Sequence, residues 1–414
     1  MHANQETRIR NFNEIEDNFW NNSEILNILE IAADSFIKYH NNEVEIWAAS
    51  RDWFLEPWGR DTFISLPGIL LVRNRFEDAR NIFRKFAKLE KNGLLPTKIS
   101  NEVEYNNADV SLWFIYSLKK YIQHSHDFAF IKEMLQTIKN ILESYVNGTG
   151  YYRYGEFQRI YMDSDYLIVT PPQATWMDAN AFGKLQPITP RNGKAVEINA
   201  LFYSAITFAK SLEYIFGYEF NIDLNEILTK MKLSFNKKFW NKEKKALYDV
   251  IEGDPHGNAI RPNMLFAVSH CNNLLNKNKE MLVFDCVKKH LLTPCGLRTL
   301  SPEDEKYIGS YDTFLPIEQK DLAYHQGTAW PWLIGAFIDA LVKIRKYQNK
   351  NLEEIKSEIR YYLAPLVDFC IRSPYKSLPE LFSGDYPHEP GGTTSQAWSV
   401  AEILRVIKEY NILL

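Results

Sequence analysis

Apolar residues recur at a spacing near 3.6 along almost the whole chain, which predicts twelve helices and almost no convincing strands. The approximate spans are 23–39, 61–72, 76–90, 109–123, 128–146, 198–216, 224–240, 262–275, 279–292, 328–347, 352–372 and 395–410. Odd members are amphipathic: in the third, Phe76, Ala79, Phe83, Phe86 and Leu89 share a stripe and charged residues cover the rest. Even members are apolar nearly all round, as in Ile64 to Leu71, Val110 to Leu118, Ile198 to Ala209 and Trp330 to Leu341, so they are expected to be covered on every side. Six such alternations predict two concentric rings: an all-α fold, an (α/α)6 barrel of six helical hairpins. It is read as a single domain over 1–414, with a lead-in at 1–22 and a motif-bearing region at 53–405. An irregular helical bundle or a solenoid is the alternative.

Connections leaving the buried helices are short, whereas those entering them are long: 53–60, 102–108, 151–197, 241–261, 293–327 and 374–394. Inner helices of such a barrel run the same way, so these loops meet at one rim, together with six positive helix N-termini. Long loops on a rigid scaffold are where function concentrates.

Composition narrows the partner. The formal charge is −4 and basic residues are scattered, which speaks against nucleic acid and anionic membrane. The uncharged run 322–338 contains His325, Gln326, Gly327 and Pro331, so it reads as a buried helix and not a membrane span. Aromatic residues reach 14%, a surplus that suits sugars, whose C–H faces stack on rings. The four cysteines form no Cys-x-x-Cys pair and read as reduced and buried; with no secretory leader visible, a cytoplasmic protein is expected.

The rim loops hold the unusual residues. Trp58-Gly59-Arg60-Asp61 offers an acceptor, a donor and a stacking face for vicinal hydroxyls, although Asp61 as a helix cap with Arg60 in a surface pair would give the same string. Asp178 follows Trp176-Met177 and precedes Ala179; an apolar setting would keep it protonated as a general acid requires, and a simple capping role is the alternative. Glu380, between Pro379 and Leu381, is the second carboxyl of an acid and base pair. The remaining candidates for substrate contact are Asn107, Asp109, Trp176, Lys194, Glu197, His325, Gln326 and Trp330. No metalloprotease, serine-hydrolase, phosphate-loop or dinucleotide motif occurs; Asp163-Ser164-Asp165 lacks the rest of a calcium loop, and no metal or cofactor is expected.

Trp58-Gly59-Arg60-Asp61-Thr62-Phe63-Ile64, Thr175-Trp176-Met177-Asp178, Gly193 to Ala200, Tyr324 to Thr328 and Gln396 to Glu402, in this order, resemble the amylo-α-1,6-glucosidase domain of glycogen debranching enzymes. The resemblance implies the six-hairpin glycosidase fold, exo-acting hydrolysis of α-1,6-glucosidic branch points in glycogen or limit dextrin, inversion at the anomeric carbon, and no cofactor. It makes Asp178 the acid and Glu380 the base. Arg60 and Asp61 are similar to a glucoamylase pair that holds the terminal glucose hydroxyls. The pattern departs from the family at Asn192, usually His, and at Ser383, usually Asp. With only about 50 residues before the first motif, transferase activity is not expected, and a separate 4-α-glucanotransferase acting upstream is a conceivable partner. Two other readings stay open: a glucoamylase-, trehalase- or mannosylglycerate-hydrolase-like enzyme on the same barrel, and a catalytically silent glucan-binding module.

Overall fold

The computed structural model describes residues 19–21, 24–40, 43–180 and 187–413, so most of the lead-in at 1–22 lies outside the described residues. Helices, in chain order, are α1 (Glu24–Asp34), α2 (Gly59–Ile69), α3 (Phe76–Lys88), α4 (Val110–Ser125), α5 (Phe128–Asn147), α6 (Val196–Phe216), α7 (Leu224–Lys238), α8 (Phe266–Ser269), α9 (Lys277–His290), α10 (Ile317–Tyr324), α11 (Leu333–Tyr347), α12 (Leu352–Arg372) and α13 (Ala397–Glu409). Helix α2 packs on α4, α4 on α6, α6 on α8, α8 on α11, α11 on α13, and α13 back on α2, a closed circuit. Outside it, α3 lies against α4, α5 against α4 and α6, α7 against α6, α9 against α8 and α11, α12 against α11, and α1 against α13 and α2.

Burial follows the predicted alternation. Every residue of α2 is buried, whereas α3 buries only Ala79, Ile82, Phe83 and Phe86 on one face. The all-round apolar helix has a local difficulty at Pro67, which has no N–H for the Phe63 carbonyl one turn back. The Ser117 hydroxyl, from α4, donates to that carbonyl instead. One residue on, Gly68 meets α13 so closely that a Cβ would lie 1.9 Å from the Ala401 carbonyl oxygen. The first and last helices of the circuit therefore touch backbone to backbone.

Several predicted boundaries are corrected. The helix expected over 262–275 is a 3₁₀ turn, Pro262–Leu265, followed by the single turn of α8. The stretch beyond it, His270-Cys271-Asn272-Asn273, is poor in helix formers, and Asn273 turns left-handed at φ 64°. The first predicted helix stops at Asp34 because Ile37–His40 pairs with Glu43–Ile46 as a hairpin. The helix expected from 328 starts at Leu333, since Ala329–Trp330 joins a five-stranded antiparallel sheet in the order Leu292–Thr293, Gly296–Arg298, Ala329–Trp330, Leu381–Phe382, Pro390–Gly391. That sheet ties the loop before α11 to the loop before α13. The expectation of almost no strands missed it, because strands of two or three residues carry too short an alternation to read.

No helix among the described residues is long and apolar enough to cross a membrane.

Candidate active site

The loops entering α2, α4, α6, α11 and α13 enclose a cavity of about 250 Å³. It is smaller than the roughly 300–1,000 Å³ of sites for drug-sized ligands, a fit for one sugar unit. Trp58, Arg60, Asp61, Trp176, Asp178, His325, Trp330 and Glu380 all line it. Trp176, Trp330 and Trp398, with Trp332 behind them, form a contiguous floor with ring centroids 5.2–5.7 Å apart.

Arg60 and Asp61 occupy the first turn of α2. Both are buried, which removes the surface-pair alternative. Arg60 Nε and Nη2 donate to Asp109 Oδ2 and Oδ1 at 2.6 and 3.1 Å, and Nη1 donates to Asp178 Oδ2 at 3.0 Å. Burial works against the guanidinium charge, but the Asp109 and Asp178 carboxylates outweigh it and hold the group protonated. Asp61 accepts from Gln396 Nε2 at 2.8 Å; burial pushes its carboxyl up to about 7 against the opposing pull of Arg60 and Gln396.

Glu380 is 2% exposed. The Tyr324 hydroxyl donates to its Oε1 and the Thr393 N–H to Oε2 at 3.1 Å. Burial pushes the carboxyl up to about 7; Tyr324 and Thr393 pull it down, Asp61 pushes it further up, and Lys320 opposes. Gly392 gives this carboxylate its room: its φ is +69° and a Cβ there would lie 2.1 Å from Glu380 Oε2. Asp178 departs from the sequence-based reason for its role. Its neighbours Trp176, Met177 and Ala179 are buried, yet its own side chain is 38% exposed and sits in the ion pair with Arg60.

Other candidates fall behind the cavity wall. Asp109 holds Arg60, and Asn107 caps α4 by accepting from Val110 N at 3.0 Å while donating to Thr97 Oγ1. Glu197 is paired with buried Arg191, which also holds Asp249 at 2.7 Å and Thr175 Oγ1 at 2.9 Å. Asp249 accepts from Asn263 Nδ2 at 2.8 Å and Asn263 in turn accepts from Trp176 Nε1 at 2.7 Å, so this network fixes the floor and not the ligand. Gln326 accepts from Arg261 Nη2 at 2.7 Å. Lys194 is corrected most clearly: its ammonium contacts Asp163, Asp165 and Glu252, away from the cavity. Those three acids bring oxygens within 4.8 Å of one another, with the lysine as their shared cation.

The cavity adds Phe54, Thr97, Glu104, Asn106, Arg153, Gln173, Tyr324, Gln396 and Trp398 to the predicted lining. Tyr324, Gln396 and Trp398 stand inside the quoted motifs, and that membership is the signal for them. Four buried polar atoms of the lining, Trp58 Nε1, Gln173 Oε1, His325 Nε2 and Trp398 Nε1, have no hydrogen-bond partner among the described residues. Buried polar groups are ordinarily paired, so such a cluster marks a surface that binds polar groups of a ligand or water. His325 stacks on Trp330 at 5.3 Å and 24°, and burial together with the charges of Arg261, Arg60 and Arg191 drives its ring well below the usual histidine range, leaving it neutral.

Residues 31–405 match the family described as amylo-alpha-1,6-glucosidase. The chain belongs to that glycoside hydrolase family. It is similar to the glycogen debranching enzyme of Saccharomyces cerevisiae, 25% identical over 448 residues that cover 85% of this chain and 29% of that protein. This chain thus spans less than a third of that relative. Among solved structures it resembles the GH63 mannosylglycerate hydrolase from Thermus thermophilus in complex with Tris (TM-score 0.63, 11% identity, covering 91% of this chain and 99% of that one). It also resembles a rhamnosidase from Klebsiella oxytoca with rhamnose bound (TM-score 0.58, 15% identity, 94% and 64%). At such identities these two likenesses speak to the fold alone.

Proposed function

We propose that the chain is an inverting, exo-acting α-glucosidase that cleaves α-1,6-linked glucose from branch points of glycogen-like glucans, on an (α/α)6 barrel whose inner ring is the closed helical circuit. The observation that carries this is the placement of Asp178 and Glu380 in one small cavity with Arg60, Asp61 and the tryptophan floor. A cavity of about 250 Å³ favours removal of terminal glucose over internal cutting.

In this reading the Asp61 carboxylate accepts from hydroxyls of the terminal glucose, and Asp178 moves off Arg60 Nη1, which then donates to them from its fixed position. Released from its ion pair and covered by the sugar, Asp178 becomes the acid that protonates the departing oxygen. Glu380, held at both oxygens by Tyr324 and Thr393, removes a proton from the water that attacks the opposite face. An inverting pair needs room for that water, a carboxyl separation of roughly 6.5–9.5 Å in the complex.

A second assignment has its own observation: in the free site Glu380 carries the raised carboxyl and Asp178 the ion pair, which suits Glu380 as acid and Asp178 as base. Glycogen as such is one substrate choice; the alternative sugars of related barrels are tested beside it. Proton NMR of the first product from glucanotransferase-treated limit dextrin checks the reaction, with maltose, trehalose and pullulan in parallel. β-Glucose appearing first is the expected outcome, and initial α-glucose or release of oligosaccharides overturns it.

A further inference from the structure

A second cavity of about 560 Å³ opens beside the first and shares Glu104, Asn106 and Arg153 with its lining. Its wall is a run of aromatic rings: Tyr105 from the loop before α4, and Tyr151, Tyr152, Tyr154 and Phe157 from the hairpin Thr149–Arg153 and Glu156–Met162. Three of these rings stand in solvent, with Tyr152 75%, Tyr154 56% and Phe157 53% exposed. Tyr152 and Phe157 pair across the hairpin with ring centroids 5.2 Å apart, which leaves Tyr154 without a ring partner there, and clustered exposed rings mark a binding surface. The groove is also polar, with Lys91, Asn92, Glu104, Asn106 and Arg153 among the rings.

Two details of the hairpin favour a ligand. Tyr151 is 5% exposed, lines the groove, and its hydroxyl has no hydrogen-bond partner among the described residues. At the tip, Tyr154 and Gly155 form a two-residue turn between the paired Arg153 and Glu156, with φ +52° and +84°. Such turns favour Asn, Asp or Gly at the first position, because a bulky residue at positive φ is strained. The chain keeps a tyrosine there, with the Arg153 guanidinium 5.5 Å from its ring centre.

We propose that this groove binds the glucan main chain from which the glucose stub is removed, its rings stacking on successive sugars and its polar groups holding their hydroxyls. This rests on the α-glucan reading given above. The occupant follows from continuity: a sugar whose terminal unit fills the inner cavity continues past Glu104, Asn106 and Arg153, and mixed aromatic and amide lining is the chemistry of a sugar track rather than of a helix or lipid.

The test uses the full chain with Phe157→Ala and Tyr154→Asn. Maltoheptaose is the binding probe in calorimetry; debranching of transferase-treated limit dextrin is compared with hydrolysis of α-glucosyl fluoride, which has no leaving chain. Either variant is expected to weaken maltoheptaose binding about tenfold, ~1.4 kcal/mol, and to lose about tenfold more on the dextrin than on the fluoride. Tyr154→Asn gives the turn its preferred residue, so the Tm is expected to hold or rise while affinity falls, a combination that a purely structural tyrosine would not produce. No binding of maltoheptaose by the unaltered protein, unchanged affinity in both variants, or equal losses on both substrates would overturn the groove. Should the unaltered protein cleave neither substrate, the glucosidase reading fails and the affinity comparison still decides the groove by itself.

Discussion

The Arg60 guanidinium grips Asp109 with two nitrogens, at 2.6 and 3.1 Å, so that its third nitrogen faces the cavity from a fixed position. Asp109 is 1% exposed and does not line the cavity, which makes it a positioning residue for Arg60. Asp109→Asn halves the fork and leaves a buried cation poorly matched, which costs roughly 3–5 kcal/mol when such a pair is broken outright. We expect a lower Tm and a kcat/KM loss of around a hundredfold, as small misplacements in a site produce. Steady-state kinetics beside thermal unfolding checks both; full activity in the variant would remove the positioning role.

The two acid and base assignments separate on leaving group. A glucosyl fluoride needs little protonation to depart, so the variant lacking the acid is partly spared on it while the variant lacking the base is not. With Asp178 as acid, Asp178→Asn keeps much of its fluoride activity and Glu380→Gln loses both substrates. The reverse pattern assigns the acid to Glu380.

A pH profile reads the same question independently. Burial first, and the Asp61 charge with it, sets the Glu380 carboxyl at about 7. As a base it acts ionised, so kcat/KM falls as pH drops through about 7; as an acid it acts protonated, and the same inflection becomes the alkaline limb. Stability carries a fixed sign in either case. The folded carboxyl holds its proton where the unfolded one, near 4.5, has lost it, so stability falls as pH rises from 4.5 through about 7. Glu380→Gln removes that cost, and we expect it to be more stable than the unaltered protein at pH 8 by on the order of 3 kcal/mol, with a higher Tm and the gap closing toward pH 4.5. Equal stability at pH 8 would show that the carboxylate is not penalised by burial.

Gly392→Ala tests the support of Glu380 from behind. The added methyl meets Oε2 and the backbone is left-handed at φ +69°, so the carboxylate shifts or the loop does. Loss of kcat by an order of magnitude or more with a small change in KM is the expected outcome.

Lys194→Met distinguishes scaffold from ligand. The lysine binds Asp163, Asp165 and Glu252 and lies outside the cavity wall, so kcat/KM should stay within a few-fold while the Tm falls and becomes salt-dependent. A selective rise in KM would return Lys194 to the binding residues.

How far the sequence reached depended on the range of the signal. Helices such as α6 and α12 announce themselves through several turns of periodicity, and five of the six entering loops reach the cavity, bringing Trp58, Arg60, Trp176, Asp178, His325 and Glu380. The shortness of α8 has a local signal in the helix-poor run 270–273, whereas the 3₁₀ turn before it holds Asn263 between Asp249 and Trp176, partners that only folding brings together. Lys194, Glu197 and Gln326 misled for a related reason. A charged residue in a motif reads as a ligand contact until its partners are located, and Arg191, Arg261 and the three acids around Lys194 are brought in by folding. Gln173 and Arg153 carried no local mark at all; only closure of the ring sets them at the cavity.

The contact between Gly68 and Ala401 also bears on how the protein comes to exist on the ribosome. Its partners stand far apart along the chain, and Asp61 likewise waits for Gln396 from the start of α13. Until that last helix has emerged, the inner faces of α2 and α11 lack their common neighbour and a broad apolar seam stays open. Nascent chains in that condition are prone to misassembly and suited to chaperone capture. The long sequence separation of the closing contacts further slows the step that seals the seam. The inner cavity, whose lining includes Gln396 and Trp398, is therefore complete only once α13 is in place.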